Sequence, residues 1–196
     1  SDRRAAKAVK KYAMANPHPM GKWSSSSATH VSSMSGNDFF DNEKSATIQE
    51  SQAGFARIEF TDSQGNIEDL KTDIKLDCGT IVDATFMSVA GLRAFLAHEI
   101  KEAKEQNVLF SVHLKATMMK VSDPIIFGHV VSVFFKDIFK KHGKILNELG
   151  VNPNSGLGDI LDRVSHNAEI TQEFNAVIEE QADLYMVDSD RGITNL

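Results

Sequence analysis

Hydrophobic and polar residues follow each other with different periods along the chain, and each period predicts an element. Residues 5–15 are strong helix formers that stop before Pro17, so they predict a short basic helix. The runs 55–60 and 67–76 alternate with a period of two and flank a polar turn at 62–66. This pattern predicts a β-hairpin.

The second half of the chain predicts strands and helices in succession. Residues 108–114 are a short, mostly apolar run, which predicts a buried strand. Asp123 and Pro124 then supply an N-cap and a first helical residue for a long helix that ends at Gly150, which completes a βα unit. The other predicted elements are a strand at 80–86, an amphipathic helix at 89–104, helices at 157–164 and 170–184, and a short strand at 185–187.

The composition is that of a globular protein, with 41% hydrophobic and 24% charged residues among 196. We therefore predict one α/β segment over residues 1–196. Residues 17–54 contain two prolines and a serine tract, which predicts a long loop-rich region within that segment. The longest apolar run, 124–135, is shorter than the roughly 18 residues of a membrane-spanning helix, so no membrane partner is expected.

Charge is distributed unevenly along the chain. The first 36 residues contain six lysines and arginines and one aspartate, although the whole chain has a net charge of −6. The basic part lacks interleaved aromatic residues and the acidic remainder repels phosphate, so no nucleic-acid partner is expected. Cys78 is the single cysteine and the first residues do not resemble a signal peptide, which predicts a cytoplasmic protein.

The clearest candidate for chemistry is Lys115, which follows the predicted strand at 108–114. Ligands of open α/β sheets bind beyond the carboxyl ends of the strands. A lysine beside Met118 and Met119 would be partly desolvated, which lowers its pKa and suits it to proton transfer. A lysine that extends to solvent over apolar neighbours is the alternative interpretation.

Other residues give weaker signals. Arg3 and Arg4 could bind a carboxylate or a phosphate through two hydrogen bonds, although solvated arginines are far more common. His98-Glu99 lacks a second histidine at the spacing of a zinc protease. The glycines at 156 and 158 follow no predicted strand, so they predict a turn and a helix start instead of a dinucleotide site.

One long stretch resembles a known family. Residues 111–129, SVHLKATMMKVSDPIIFGH, closely resemble a signature of the monomeric NADP-dependent isocitrate dehydrogenases. The further stretches that agree with this family, in the same order, are SDRR at 1–4 with VKKY at 9–12, NPH at 16–18 with MG at 20–21, and SDRGITNL at 189–196. The resemblance therefore extends from end to end of the chain.

The resemblance implies a fold and an activity. The family chain is much longer, and this sequence resembles roughly its second quarter, within the first half of a duplicated large domain. The implied fold is half of an isocitrate/isopropylmalate dehydrogenase-like large domain, a β-sheet flanked by helices with a hairpin insertion. The implied activity is NADP-dependent oxidative decarboxylation of isocitrate to 2-oxoglutarate and carbon dioxide, by a monomer. Its cofactors are NADP and Mg²⁺ or Mn²⁺, with the metal ligands outside this segment.

The resemblance also implies roles for two residues and a partner. Arg3 matches a family arginine that binds a carboxylate of isocitrate, and Lys115 matches a lysine that contacts isocitrate and is critical for catalysis. Lys120 matches no assigned role. The remaining domains of the same polypeptide are the expected protein partner. Pro19 and Asp188 depart from the family pattern but do not touch the two matched positions.

Two other classes of protein stay open at this point. A non-catalytic α/β ligand-binding module would explain why these residues contain no complete site. A Schiff-base lysine enzyme would explain a lysine at a strand end. A carbonyl adduct that is trapped on Lys115 by reduction would distinguish the second class from a dehydrogenase.

Overall fold

The computed structural model describes residues 6–17, 21–112, 121–180 and the backbone of 184–186. Residues 1–30 and 31–196 form two units, and each is described by itself. The first unit contains helix α1 (Lys7–Ala15), whose residues are all exposed. The elements of the second unit are β1 (Lys44–Thr47), β2 (Gly54–Thr61), β3 (Ile67–Leu76), β4 (Ile81–Ala84), α2 (Val89–Gln106), β5 (Phe110–Val112), α3 (Ser122–Phe134), α4 (Lys136–Glu148), α5 (Leu157–Val164), α6 (Ala168–Glu180) and β6 (Leu184–Met186), with short 3₁₀ helices at Glu50–Gln52 and Pro153–Ser155.

The described strands form three sheets of two strands each. β1 pairs with β4 and β2 pairs with β3, both antiparallel, whereas β5 and β6 are parallel. Parallel strands need a crossover connection, and here helices α3 to α6 lie between the two strands in the chain. The protein is therefore mixed α/β, as the sequence predicts at this level.

The predicted hairpin is confirmed as β2 and β3. Its turn is built around Asp62, whose Oδ1 accepts hydrogen bonds from the backbone N–H groups of Gln64 and Asn66 at 2.8 and 2.9 Å. The side-chain amide of Asn66, followed by these backbone bonds, lowers the pKa of Asp62 below its ordinary value of 3.8. Gly65 has φ +86°, a conformation that glycine adopts without steric cost. The local polar sequence thus sets the hairpin.

Strand β1 was not predicted, since it lies inside the region 17–54 that was expected to be loop-rich. Its sequence, KSAT, has no apolar alternation, and all four residues are exposed. The strand exists because it pairs with β4, with Lys44 opposite Ala84 and Thr47 opposite Ile81. A partner nearly forty residues away along the chain gives no local signal.

The prediction of one continuous helix that ends at Gly150 is wrong, because the structure contains two helices in this region. Helix α3 ends at Phe134 and α4 begins at Lys136, because Phe135 has φ −105° and ψ 28°. The Phe135 ring is 1% exposed, and its centroid lies 4.9 Å from those of both Phe134 and Phe174. The consecutive side chains of Phe134 and Phe135 are both buried at this break.

The predicted start of that helix is also corrected by two residues. Helix α3 begins at Ser122, so Asp123 lies in the first turn and is not the N-cap. The capping position is Val121, whose side chain makes no capping hydrogen bond. An aspartate in the first turn still interacts favourably with the positive end of the helix dipole.

The hydrophobic core of the second unit lies among its helices. Leu92, Leu96 and Ile100 form the buried face of α2, as their spacing predicts. The other large buried residues are Phe127, Val130, Val131, Phe134, Phe135, Ile138, Leu146, Leu157, Ile160, Val164, Ile170 and Phe174. In the described part of the chain, no helix is both long enough and apolar enough to cross a membrane.

Candidate active site

The carboxyl ends of β5 and β6 mark the place where the sequence predicts chemistry. The strands are parallel, with Phe110 beside Leu184 and Val112 beside Met186, so both end at the same edge. The edge beyond the carboxyl ends is where α/β proteins bind ligands. In the sequence, Lys115 is the third residue after Val112. The predicted strand 108–114 is confirmed over Phe110–Val112.

The predicted site residues themselves lie outside the described residues. Lys115 and Lys120 fall in 113–120, between β5 and α3, and Arg3 and Arg4 fall in 1–5. The same holds for Pro19 and for Asp188. The structure therefore describes the strand before Lys115 and the helix after it, and the roles of Lys115 and Arg3 stay predictions.

Helix α3 follows the Lys115 segment, and a histidine and an arginine join it to α2. Arg93 on α2 donates from Nε to Nδ1 of His129 on α3 over 3.3 Å, and its Nη2 lies at the same distance. Burial, and then the charge of Arg93, lower the pKa of His129 below its ordinary value of 6.5. A neutral imidazole can accept a hydrogen bond from the guanidinium, so the pair links the two helices at neutral pH. No sequence spacing indicated this contact, because 36 residues separate the partners.

A second polar cluster joins α4 to α6. His142 is 8% exposed, and its Nε2 lies 2.9 Å from Oε2 of Glu173, to which it donates when that carboxylate is ionised. Lys141 donates to the other oxygen of Glu173 and to Glu169, the latter over 3.3 Å. The hydrogen bond from Lys141, followed by that from His142, lowers the pKa of Glu173 below its ordinary value of 4.5. The cluster therefore stabilises the ionised form of Glu173.

This cluster predicts a pH-dependent stability. A carboxyl whose folded pKa is depressed contributes stability above pH 4.5 and loses that contribution as the pH falls through the lower folded pKa. We expect Glu173→Gln to lower the melting temperature at pH 7 and to approach the parent in acid. Circular dichroism melts from pH 7 to pH 3 measure the difference. Glu169→Gln is the matched control, and an equal effect from this 70% exposed carboxyl would contradict the prediction.

Neither group of potential metal ligands among the described residues fits the divalent metal that the sequence resemblance implies. Two groups of three potential ligands occur among them: His98, Glu99 and Glu102 on α2, and His142, Glu169 and Glu173 between α4 and α6. Each contains a histidine, whereas Mg²⁺ and Mn²⁺ prefer oxygen ligands. In the second group, the ammonium of Lys141 already contacts both carboxylates. We therefore assign no metal to either group.

The surface of the second unit has shallow cavities away from this strand end. One of about 380 Å³ is lined by Phe39, Phe40, Glu43, Asp83, Ala84 and Thr85. Another of about 310 Å³ lies between α2, the α3–α4 break and α6. Neither is lined by Val112 or Val121, the residues that border the segment of Lys115. The cavities give no independent support to the predicted site.

Strand β5, the four helices α3 to α6 and the parallel strand β6 make this chain a mixed α/β protein. Comparison with known proteins identifies the family. A model of the monomeric isocitrate dehydrogenase family matches residues 1–196. The chain belongs to this family.

Curated relatives agree with the family match. The chain is 46% identical over 201 aligned residues to isocitrate dehydrogenase (NADP) 2 of Colwellia maris and to isocitrate dehydrogenase (NADP) of Azotobacter vinelandii. It is 45% identical over 200 residues to isocitrate dehydrogenase (NADP) 2 of Mycobacterium tuberculosis. Each alignment covers 100% of this chain and 27% of the relative. The chain therefore spans about a quarter of the length of these relatives.

Proposed function

We propose that this chain is the part of an NADP-dependent isocitrate dehydrogenase that contributes Lys115 and Arg3 to the active site. The observation that carries the proposal is the family match over all 196 residues. The proposed reaction oxidises the hydroxyl carbon of isocitrate, transfers a hydride to NADP⁺ and releases carbon dioxide, which leaves 2-oxoglutarate. NADP and Mg²⁺ or Mn²⁺ are proposed to bind largely through residues outside this segment. Isocitrate and the rest of the polypeptide are the proposed partners.

The role proposed for Lys115 is proton transfer at the reacting oxygen. Oxidation of a hydroxyl to a carbonyl removes its proton as the hydride leaves, so a positioned amine lowers the barrier. The parallel pairing of β5 and β6 supports this role, because Lys115 follows the end of β5 after two residues. Residues that follow the carboxyl ends of strands commonly line the crevice in which α/β proteins bind ligands.

The role proposed for Arg3 is to hold a carboxylate of isocitrate. The planar guanidinium can donate two parallel hydrogen bonds to one carboxylate. This grip fixes the orientation of the substrate, so that the hydride is directed at the nicotinamide. We also propose a fold for the chain that contains both residues. It is half of a duplicated large domain, and the β2–β3 hairpin is an insertion in it.

The proposed function is tested with the full-length polypeptide that contains this chain. Purified protein is mixed with isocitrate, Mn²⁺ and NADP⁺, and the absorbance of NADPH and the release of carbon dioxide are followed. We expect equal amounts of the two products and much slower reduction of NAD⁺. Reduction of NADP⁺ without release of carbon dioxide, or no reaction at all, would overturn the proposal.

Arg3→Lys tests the carboxylate-binding role. Lysine keeps the positive charge but cannot donate two parallel hydrogen bonds to one carboxylate. We therefore expect the KM for isocitrate to rise by about tenfold and the KM for NADP⁺ to change little. Steady-state kinetics of the full-length enzyme measure both constants. Arg4→Lys is the matched control, and a larger effect from Arg4 or equal effects on both ligands would refute the assignment.

A further inference from the structure

A cavity of about 310 Å³ lies in the second unit, where α2, the α3–α4 break and α6 meet. This volume is at the lower end of the range for cavities that bind small ligands. All three places contribute to the apolar part of the lining, which consists of Ala97, Ile100, Val133, Phe134, Phe135 and Val177. The cavity can therefore surround the apolar body of a small molecule.

The apolar floor of this cavity belongs to the hydrophobic core. Ile100, Phe134 and Phe135 are 7%, 6% and 1% exposed. The ring of Phe135 packs against the rings of Phe134 and Phe174, with centroids 4.9 Å apart in both pairs. Side chains that are packed in this way keep their rotamers, so the floor is already formed before a ligand binds.

The charged residues that line the cavity are mostly basic. They are Lys101 and Lys104 on α2 and Lys136 on α4, with Asp137 as the one acidic residue among them. The Nζ atom of Lys101 lies 3.5 Å from Oε1 of Glu105. In contrast, the side chains of Lys104 and Lys136 make no hydrogen bond or ion pair with any other described residue. Two exposed ammonium groups beside the cavity are therefore available to an anion.

The position of Lys136 is unfavourable for a lysine. Lys136 is the first residue of α4, where the positive end of the helix dipole disfavours a cation. Lys104 is in the last turn of α2, where a cation is favoured, so the dipole explains Lys104 but not Lys136. An anion at this place would be attracted both by Lys136 and by the N-terminus of α4. Asp137 in the same turn supplies only one negative charge against the three lysines of the lining.

We propose that this cavity binds a small amphiphilic carboxylate, independently of the isocitrate reaction. The alkyl part of the ligand lies against Ile100, Phe134 and Val177, and its carboxylate lies beside Lys104 and Lys136. Burial of the alkyl part stabilises the complex in proportion to the apolar area that leaves water. The two ammonium groups add hydrogen bonds to the charged head group. A neutral chain gains only the first contribution, and a short carboxylate gains only the second.

The test uses octanoate as the probe and the full-length polypeptide that contains this chain. Isothermal titration calorimetry compares octanoate with octan-1-ol, which lacks the charge, and with acetate, which lacks the alkyl chain. We expect octanoate to bind saturably to one site, and the other two compounds to bind at least about tenfold more weakly. Binding of octan-1-ol as tight as that of octanoate, or no saturable binding of octanoate, would overturn the proposal.

Variants show whether octanoate binds in this cavity. We expect Lys104→Gln and Lys136→Gln each to weaken octanoate binding by about fivefold. Lys144→Gln is the matched control and should keep the parent affinity, because Lys144 is an exposed lysine of α4 that does not line the cavity. Ala97 is exposed, so Ala97→Phe fills the cavity without entering the core and should abolish binding while circular dichroism shows the parent fold. Parent affinity in the Lys104, Lys136 and Ala97 variants would show that octanoate binds elsewhere, which contradicts the proposal.

Discussion

We expect replacement of Lys115 by methionine to lower the turnover of the full-length enzyme by about 100- to 10,000-fold, the range that one acid–base group contributes to catalysis. Methionine keeps most of the length and bulk of the lysine stem but cannot carry a proton. Single-turnover formation of NADPH measures the chemical step apart from product release.

Lys120→Met is the matched control for Lys115→Met. Lys120 lies five residues later in the same matched stretch and has no assigned role. We expect this variant to keep nearly the full turnover. If Lys115→Met retains more than about a tenth of the parent rate while folded, Lys115 does not take part in the chemistry. Equal losses in both variants would show that the segment tolerates no change, and the proton-transfer role would lose its support.

The isolated 196-residue segment should neither turn over isocitrate nor bind it measurably. A tricarboxylate that is bound through a divalent metal needs the oxygen ligands of the metal, and the ligand groups among the described residues contain histidine and do not fit. Arg3 and Lys115 alone do not balance the three negative charges of isocitrate. Calorimetric titration with magnesium isocitrate and an NADPH-formation assay measure binding and turnover.

The exposed apolar surface of the segment predicts that it associates on its own. No residue of the hairpin strands β2 and β3 is buried, and Phe55, Phe60 and Ile67 are 75%, 52% and 65% exposed. Contiguous exposed apolar surface often marks a region that another part of a protein covers. Sedimentation velocity should therefore show concentration-dependent association of the segment.

The result that would contradict a site shared with other domains is saturable micromolar binding of isocitrate, or steady turnover, by the isolated segment.

Local sequence determines the elements that depend on neighbours in the chain. Helix α5 has the predicted bounds, 157–164, because Gly156 sets its start and the apolar period sets its buried face. The hairpin is likewise predictable, because its turn is stabilised by Asp62 through bonds within four residues. The family and its two candidate residues also follow from the sequence, since the motif around Lys115 is continuous. Their roles stay predictions, because Arg3 and Lys115 lie outside the described residues.

Tertiary structure alone decided the features that join distant parts of the chain. The pairing of β1 with β4, the break at Phe135 and the cluster around His142 each depend on a partner about 30 or more residues away. Gly128 is the sharpest example. In the sequence it is a glycine inside a helix, which costs stability without an apparent reason. The reason is the backbone of Asn154. Its nitrogen would lie only 2.9 Å from a β-carbon at position 128, which is too close for any residue other than glycine unless the backbone shifts.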